Sequence, residues 1–121
     1  MIDMIVVGIN PSNGPAHQQS PTIKRLNQWM DHLGIRYYAF TNVIHETGPY
    51  NQSMVDKETL LCYINGYKRV IALGNFVSET LNRLGIEHFV MPHPSPLNRL
   101  LNDIEYEEMK LKECKRYMES K

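Results

Sequence analysis

The sequence predicts an α/β fold: a three-layer α/β/α domain on a four-stranded parallel sheet of order 2-1-3-4. Three observations lead there. Apolar, β-branched runs alternate with segments of helical periodicity along the whole chain. The runs are uninterrupted, as strands covered on both faces require. The 121 residues, 42% of them hydrophobic, suffice for one core, so residues 1–121 read as a single domain. Strand–helix alternation then implies right-handed crossovers.

Residues 3–8 form the first strand, a short run of Ile and Val ending at Gly8. A polar loop follows over 9–19. Ser20 is placed to cap a helix, with Pro21 at its first position. Ile23, Leu26, Trp29, Met30 and Leu33 recur at helical spacing, and Gly34 stops the element. Trp29 lies on this stripe and reads as core. The second strand spans 37–44, and a loop with Gly48 and Pro49 covers 45–52. A second helix is expected over 53–65, Ser53 and Asp56 forming a loose capping box and Gly66 the stop. Cys62 falls in its apolar stretch and reads as a core filler.

Residues 69–74 are the third strand. Asn75 reads as the cap of the third helix, which buries Phe76, Val77, Leu81 and Leu84 and ends at Gly85. The fourth strand spans 86–91. A charged fourth helix runs from about residue 98 to the terminus with a break near Asp103, its Glu and Lys forming a solvated face.

Composition narrows the function. Thirteen basic and thirteen acidic side chains give zero formal charge, which weighs against tight nonspecific binding of a polyanion. Arg83 and Arg99 remain candidates for a local basic patch. Two cysteines far apart in sequence suit reduced thiols in a cytoplasmic protein, and no signal-peptide pattern opens the chain. No apolar stretch is long enough to span a bilayer, so no membrane partner is expected. Phosphate-loop, dinucleotide and nucleophile-elbow motifs are absent, and the five histidines lack ligand spacing, which disfavours a metal site.

Ligands of such sheets bind at the carboxyl ends of the strands, beside the switch in strand order. Two loops there are unusual: Gly8-Ile9-Asn10-Pro11-Ser12 and His93-Pro94-Ser95-Pro96-Leu97-Asn98-Arg99. Pro11 biases Asn10 toward extended backbone. Asn10 reads either as a turn residue bonding its own backbone or as an amide that orients a water. His93, between Pro92 and Pro94, is an exposed loop histidine or a preorganised hydrogen-bond donor. Ser95 caps the last helix or donates to a phosphate. Leu97 folds onto the core or wedges into the gap left by an extruded base. Asn42, ending the second strand, satisfies backbone or pairs with the O4 and N3–H edge of a uracil-like base.

Together these residues resemble the uracil-DNA glycosylase superfamily. Gly8-Ile9-Asn10-Pro11 is similar to the first motif of its mismatch-specific and single-strand-selective branches, and His93-Pro94-Ser95-Pro96-Leu97 to the second motif. Thr41-Asn42-Val43 and the strand Val70-Ile71-Ala72-Leu73-Gly74 resemble the small thermophilic branch in order and spacing. The resemblance implies a DNA glycosylase that cleaves the N-glycosidic bond of uracil or a modified pyrimidine. Asn10 and His93 are then catalytic: one orients water, the other stabilises charge on the base oxygen. It further implies that Asn42 reads the base and that Gly8, Ile9, Pro11 and Ser12 border its pocket. Ser95, Leu97 and Arg99 belong to the loop that pinches the backbone. His17 and Tyr50 are the aromatics considered for stacking on the base. The implied partner is DNA or a pyrimidine base or nucleotide, handled by a cytoplasmic monomer, and the resemblance implies no metal or organic cofactor. Two alternatives remain open on sequence: a non-excising base- or nucleotide-binding relative, and an α/β interaction domain without a catalytic site.

Overall fold

The computed structural model describes residues 3–10, 21–46, 48–95 and 98–120. Four parallel strands form one sheet in the order β2-β1-β3-β4. These are β1 (Met4–Gly8), β2 (Ala39–Asn42), β3 (Arg69–Leu73) and β4 (Phe89–Met91). The helices between and after them are α1 (Pro21–His32), α2 (Lys57–Ile64), α3 (Asn75–Arg83) and α4 (Ile104–Ser120). The order 2-1-3-4 is the one the sequence predicts. Its switch point lies between β1 and β3, whose register pairs Val7 with Ala72.

Alternation along each strand divides the core into two layers. On one face Met4, Val6, Ile71, Leu73 and Met91 pack with Leu26, Trp29 and Met30 of α1 and Leu111 and Cys114 of α4. On the other Ile5, Val7, Val70 and Ala72 pack with Leu60 and Ile64 of α2 and Val77 and Leu81 of α3. Every residue of β1 is buried, which is why its sequence shows no polar alternation. Trp29 is buried as its stripe predicts, and its indole N–H donates to Glu107 on α4 at 3.1 Å. Among the described residues no helix is long and apolar enough to cross a membrane.

Local chemistry shifts several boundaries. The second strand is shorter than 37–44: Tyr37 is exposed and only Ala39–Asn42 is strand. Val43 and Ile44 still donate to the Gly8 and Ile9 carbonyls at 3.0 Å, so the pairing with β1 outlasts the regular ladder. The second helix does not begin at Ser53. A 3₁₀ turn occupies Gln52–Met54, capped by Asn51, and buried Val55 separates it from α2. Asp56 is the cap of α2, accepting the Thr59 N–H at 3.1 Å. The Thr59 hydroxyl, which donates to Asp56 Oδ2 at 2.7 Å, and the Thr59 N–H together hold the Asp56 carboxyl below its ordinary pKa.

Asn75 is the first residue of α3 rather than its cap. The cap position belongs to Gly74, at φ +90°, a backbone region open almost only to glycine. Regular pairing confines β4 to Phe89–Met91 rather than 86–91. The break near Asp103 is present: a 3₁₀ turn, Arg99–Asn102, precedes α4, and Asp103 Oδ1 accepts from the Glu105 and Tyr106 amides. Ser20, expected to cap α1, lies outside the described residues.

Cys62 corrects the expectation of a core filler, since it is exposed on α2. The apolar run around it is amphipathic, and Leu60 and Ile64 supply the buried face. Cys114 is buried, and burial pushes its thiol pKa up to about 12. We therefore expect one thiol to react with a maleimide or disulfide reagent in the native protein and two in denaturant. Mass mapping should place the native adduct on Cys62; rapid native labelling of Cys114 would contradict this packing.

Candidate functional site

The carboxyl ends of the strands bring Gly8, Asn42, Gly74 and His93 to one edge of the sheet. Gly8 pairs directly with Asn42 across β1 and β2. A Cβ added to Gly8 would lie 2.7 Å from Asn42 Oδ1 and 3.0 Å from Phe40 Cζ. Both side chains therefore lean from the outer strand β2 over the end of β1. His93 does the same from the opposite side. Its Cβ would sit 3.3 Å from a Cβ on Gly74, at the end of β3.

β1 and β3 are neighbours, and continuing their register puts Gly8 and Gly74 one residue out of step. Strand spacing and rise then separate the two glycines by roughly 6 Å. Asn42 and Phe40 thus lie against Gly8, and His93 lies against Gly74. Asn42 and His93 also border separate hollows. Asn42 lines one of about 380 Å³ with Ala39, Thr41, His45, Tyr63 and Tyr67 along the free edge of β2. His93 lines one of about 300 Å³ with Asn75, Met91, Pro92, Leu100 and Lys110.

Asn10 does not bond its own turn. Its Nδ2 donates to the Glu46 carbonyl at 3.2 Å and the Gly48 carbonyl at 2.8 Å. Both amide protons are thus committed, and the flip of the side chain is fixed. Its Oδ1 is left as an acceptor with no partner among the described residues. The same bonds tie the loop after β1 to the loop after β2. Tyr50, in that second loop, packs edge-on against Phe76 with centroids 4.7 Å apart. Gln52 bonds the Thr80 hydroxyl at 2.9 Å, which anchors the loop on α3.

His93 Nδ1 accepts the Ser95 amide N–H at 3.2 Å. Accepting there means the neutral ring carries its proton on Nε2, the atom free to donate. Burial holds the His93 pKa below the ordinary imidazole value of 6.5, favouring this neutral form. Pro92 and Pro94 are buried on either side. Asn98 closes the loop: its Nδ2 donates to the His93 carbonyl at 2.9 Å and its backbone N–H to the Ser95 carbonyl at 3.0 Å. Ser95 is half-buried and Arg99 exposed, both on this loop.

A pH dependence follows from the His93 shift. The unfolded chain takes up a proton near 6.5 and the folded chain only at lower pH. Between these values the unfolded state binds more protons, so stability falls as pH drops below 6.5. Denaturant midpoints measured from pH 7.5 to 5 should decline less steeply for His93→Gln than for wild type; equal slopes would contradict the burial.

Of the remaining sequence candidates, Ile9 follows β1 and is half-buried. Pro11, Ser12, Leu97 and His17 lie outside the described residues. Phe40 and Asn98 escaped sequence reasoning. Phe40 sits two residues before Asn42, on the same strand face, and is 41% exposed; the period of two was its available signal. Asn98 had none, because its partner is the backbone of a loop. Among the described residues no group of three or more His, Cys, Asp or Glu is placed to hold a metal ion. No family model, no curated protein and no solved structure matches this chain.

Proposed function

We propose that this protein binds a pyrimidine base at the carboxyl edge of the sheet and cleaves its N-glycosidic bond in DNA, the base being uracil or a modified pyrimidine. One observation carries the reading. Asn42 and His93 lean inward from the two outer strands onto glycines of the two central strands. In this reading the carboxamide and the N–H donor take the two sides of a flat heterocycle bound at this edge.

The Asn42 amide pairs with the O4 and N3–H edge of the base. Phe40, beside it, supplies an aromatic surface in place of Tyr50, which is engaged with Phe76. As the glycosidic bond breaks, the electron pair moves onto the base and negative charge collects on its carbonyl oxygen. The neutral His93 Nε2–H donates to that oxygen without needing to give up a proton. Asn10 Oδ1 accepts a hydrogen bond from a water and aims its oxygen at the anomeric carbon. The water adds to the cationic sugar and loses a proton to solvent, from which the departed base anion takes one up. A carboxamide is a weak base, so catalysis rests on positioning and on departure of a stabilised anion.

The experiment is incubation of micromolar protein with labelled single strands and duplexes carrying uracil, hydroxymethyluracil or mismatched pyrimidines. Alkali-labile abasic sites are expected. Absence of cleavage on every substrate would remove the excision reading. Calorimetric binding of a free base or nucleotide without excision would instead favour a non-excising binder, a reading the zero net charge also suits.

A further inference from the structure

A second group of chemistry-bearing side chains is bonded to none of Asn10, Asn42 and His93. Ser78 stands in α3, one turn beyond its start, and His88 immediately precedes β4. Ser78 Oγ is 2.8 Å from His88 Nε2, and His88 Nδ1 is 2.8 Å from the Ile86 carbonyl oxygen. A carbonyl only accepts, so Nδ1 carries the ring proton. Nε2 of the neutral ring is then the acceptor for the Ser78 hydroxyl. Hydroxyl, imidazole and a fixed acceptor behind the imidazole are in line, the order required of a nucleophile, its base and the group that orients the base.

The segments that carry the pair lead to a hollow and to a carboxamide. Asn75 precedes Ser78 by three residues, on the same face of α3. Its carboxamide has no hydrogen-bond partner among the described residues. Val90 follows His88 by two residues along β4. Asn75 and Val90 line the hollow of about 300 Å³ that His93 also borders; Ser78 and His88 are not among its lining residues, and its apolar walls include Met91, Pro92 and Leu100. Ser78 and His88 are half-buried, open to a small reagent rather than sealed in the core.

We infer that Ser78 is a nucleophile toward short-chain acyl esters, with His88 as its base and Asn75 as donor to the oxyanion. Ser78 Oγ bonds to the ester carbonyl carbon as its proton passes to His88 Nε2. The carbonyl oxygen becomes an oxyanion and accepts from the Asn75 amide. The bond to the alcohol breaks, and the alcohol leaves with the proton held by His88. Water, deprotonated by the same imidazole, then adds to the acyl carbon; the bond to Ser78 Oγ breaks, Oγ takes the proton back from His88, and the acid leaves.

The test is an alkyl fluorophosphonate, whose phosphorus a serine nucleophile attacks with loss of fluoride. Intact-mass spectra of the folded wild type should show one phosphonyl adduct, and a tryptic map should place it on Ser78. Ser78→Ala should show none, and His88→Ala should label at least tenfold more slowly. The peptide map decides the matter even if a variant fails to fold. An unlabelled wild type, or an adduct away from Ser78, overturns the inference, because a hydroxyl serving only to pin α3 to β4 would not react. Labelling is read on the wild-type protein without DNA, and excision without the fluorophosphonate, so neither result depends on the other. The two activities therefore stand or fall separately.

Discussion

In the proposed reaction, replacing His93 by alanine is expected to slow excision by about 10²–10³-fold, the usual cost of removing one preorganised donor to a developing oxyanion. The donor is Nε2–H, and two features set it. Ser95 N–H occupies Nδ1, and burial disfavours the doubly protonated ring. Alanine removes both the donor and the acceptor for Ser95, so some loss of stability, about 1 kcal/mol, accompanies the rate effect. Single-turnover kinetics separate the two, since a transition-state donor lowers the rate of bond cleavage while leaving substrate affinity nearly unchanged. His93→Gln retains an N–H donor and should recover part of the rate. A His93→Ala protein that cleaves within threefold of wild type would remove His93 from the chemistry.

Gly8→Ala is expected to weaken base recognition by about 10²-fold, the scale on which a misplacement of 1 Å acts. The new Cβ would stand 2.7 Å from Asn42 Oδ1 and 3.0 Å from Phe40 Cζ, too near for either to stay. Both atoms are the free ends of side chains, so the carboxamide and the ring move while the strand holds. Gly8 is not among the residues at positive φ, and alanine brings no backbone strain there. The thermal midpoint should accordingly shift by only a few degrees. Calorimetry with a pyrimidine nucleotide, beside a melting curve, checks both halves. Unchanged affinity would place the base somewhere other than over β1.

The order of the sheet was readable because apolar runs and helical stripes alternate without interruption, and the chirality of crossovers leaves few ways to arrange them. The loops that meet at its edge followed from that order. Details resting on competition between neighbours were not readable. Both Ser53 and Asp56 are good caps, and only the burial of Val55 and the position of Leu60 against the core select Asp56. Cys62 sits among apolar letters, yet α2 turns it outward. Gly74 takes the cap position from Asn75 because β3 ends in a backbone conformation that a side chain would oppose.

The site divides in the same way. Asn10, Asn42 and His93 could be named from their loops and strand ends. What each side chain does could not, since its partners lie far off in sequence. Asn10 is fixed by carbonyls 36 and 38 residues away. The sequence by itself determined the architecture, because hydrophobic period and strand–crossover handedness are properties of local pattern. Tertiary structure alone decided which amide oxygen is free, which imidazole nitrogen carries the proton and which side chains lie against Gly8 and Gly74. Those depend on strand register and on side chains leaning across from neighbouring strands, and no single segment of chain encodes them.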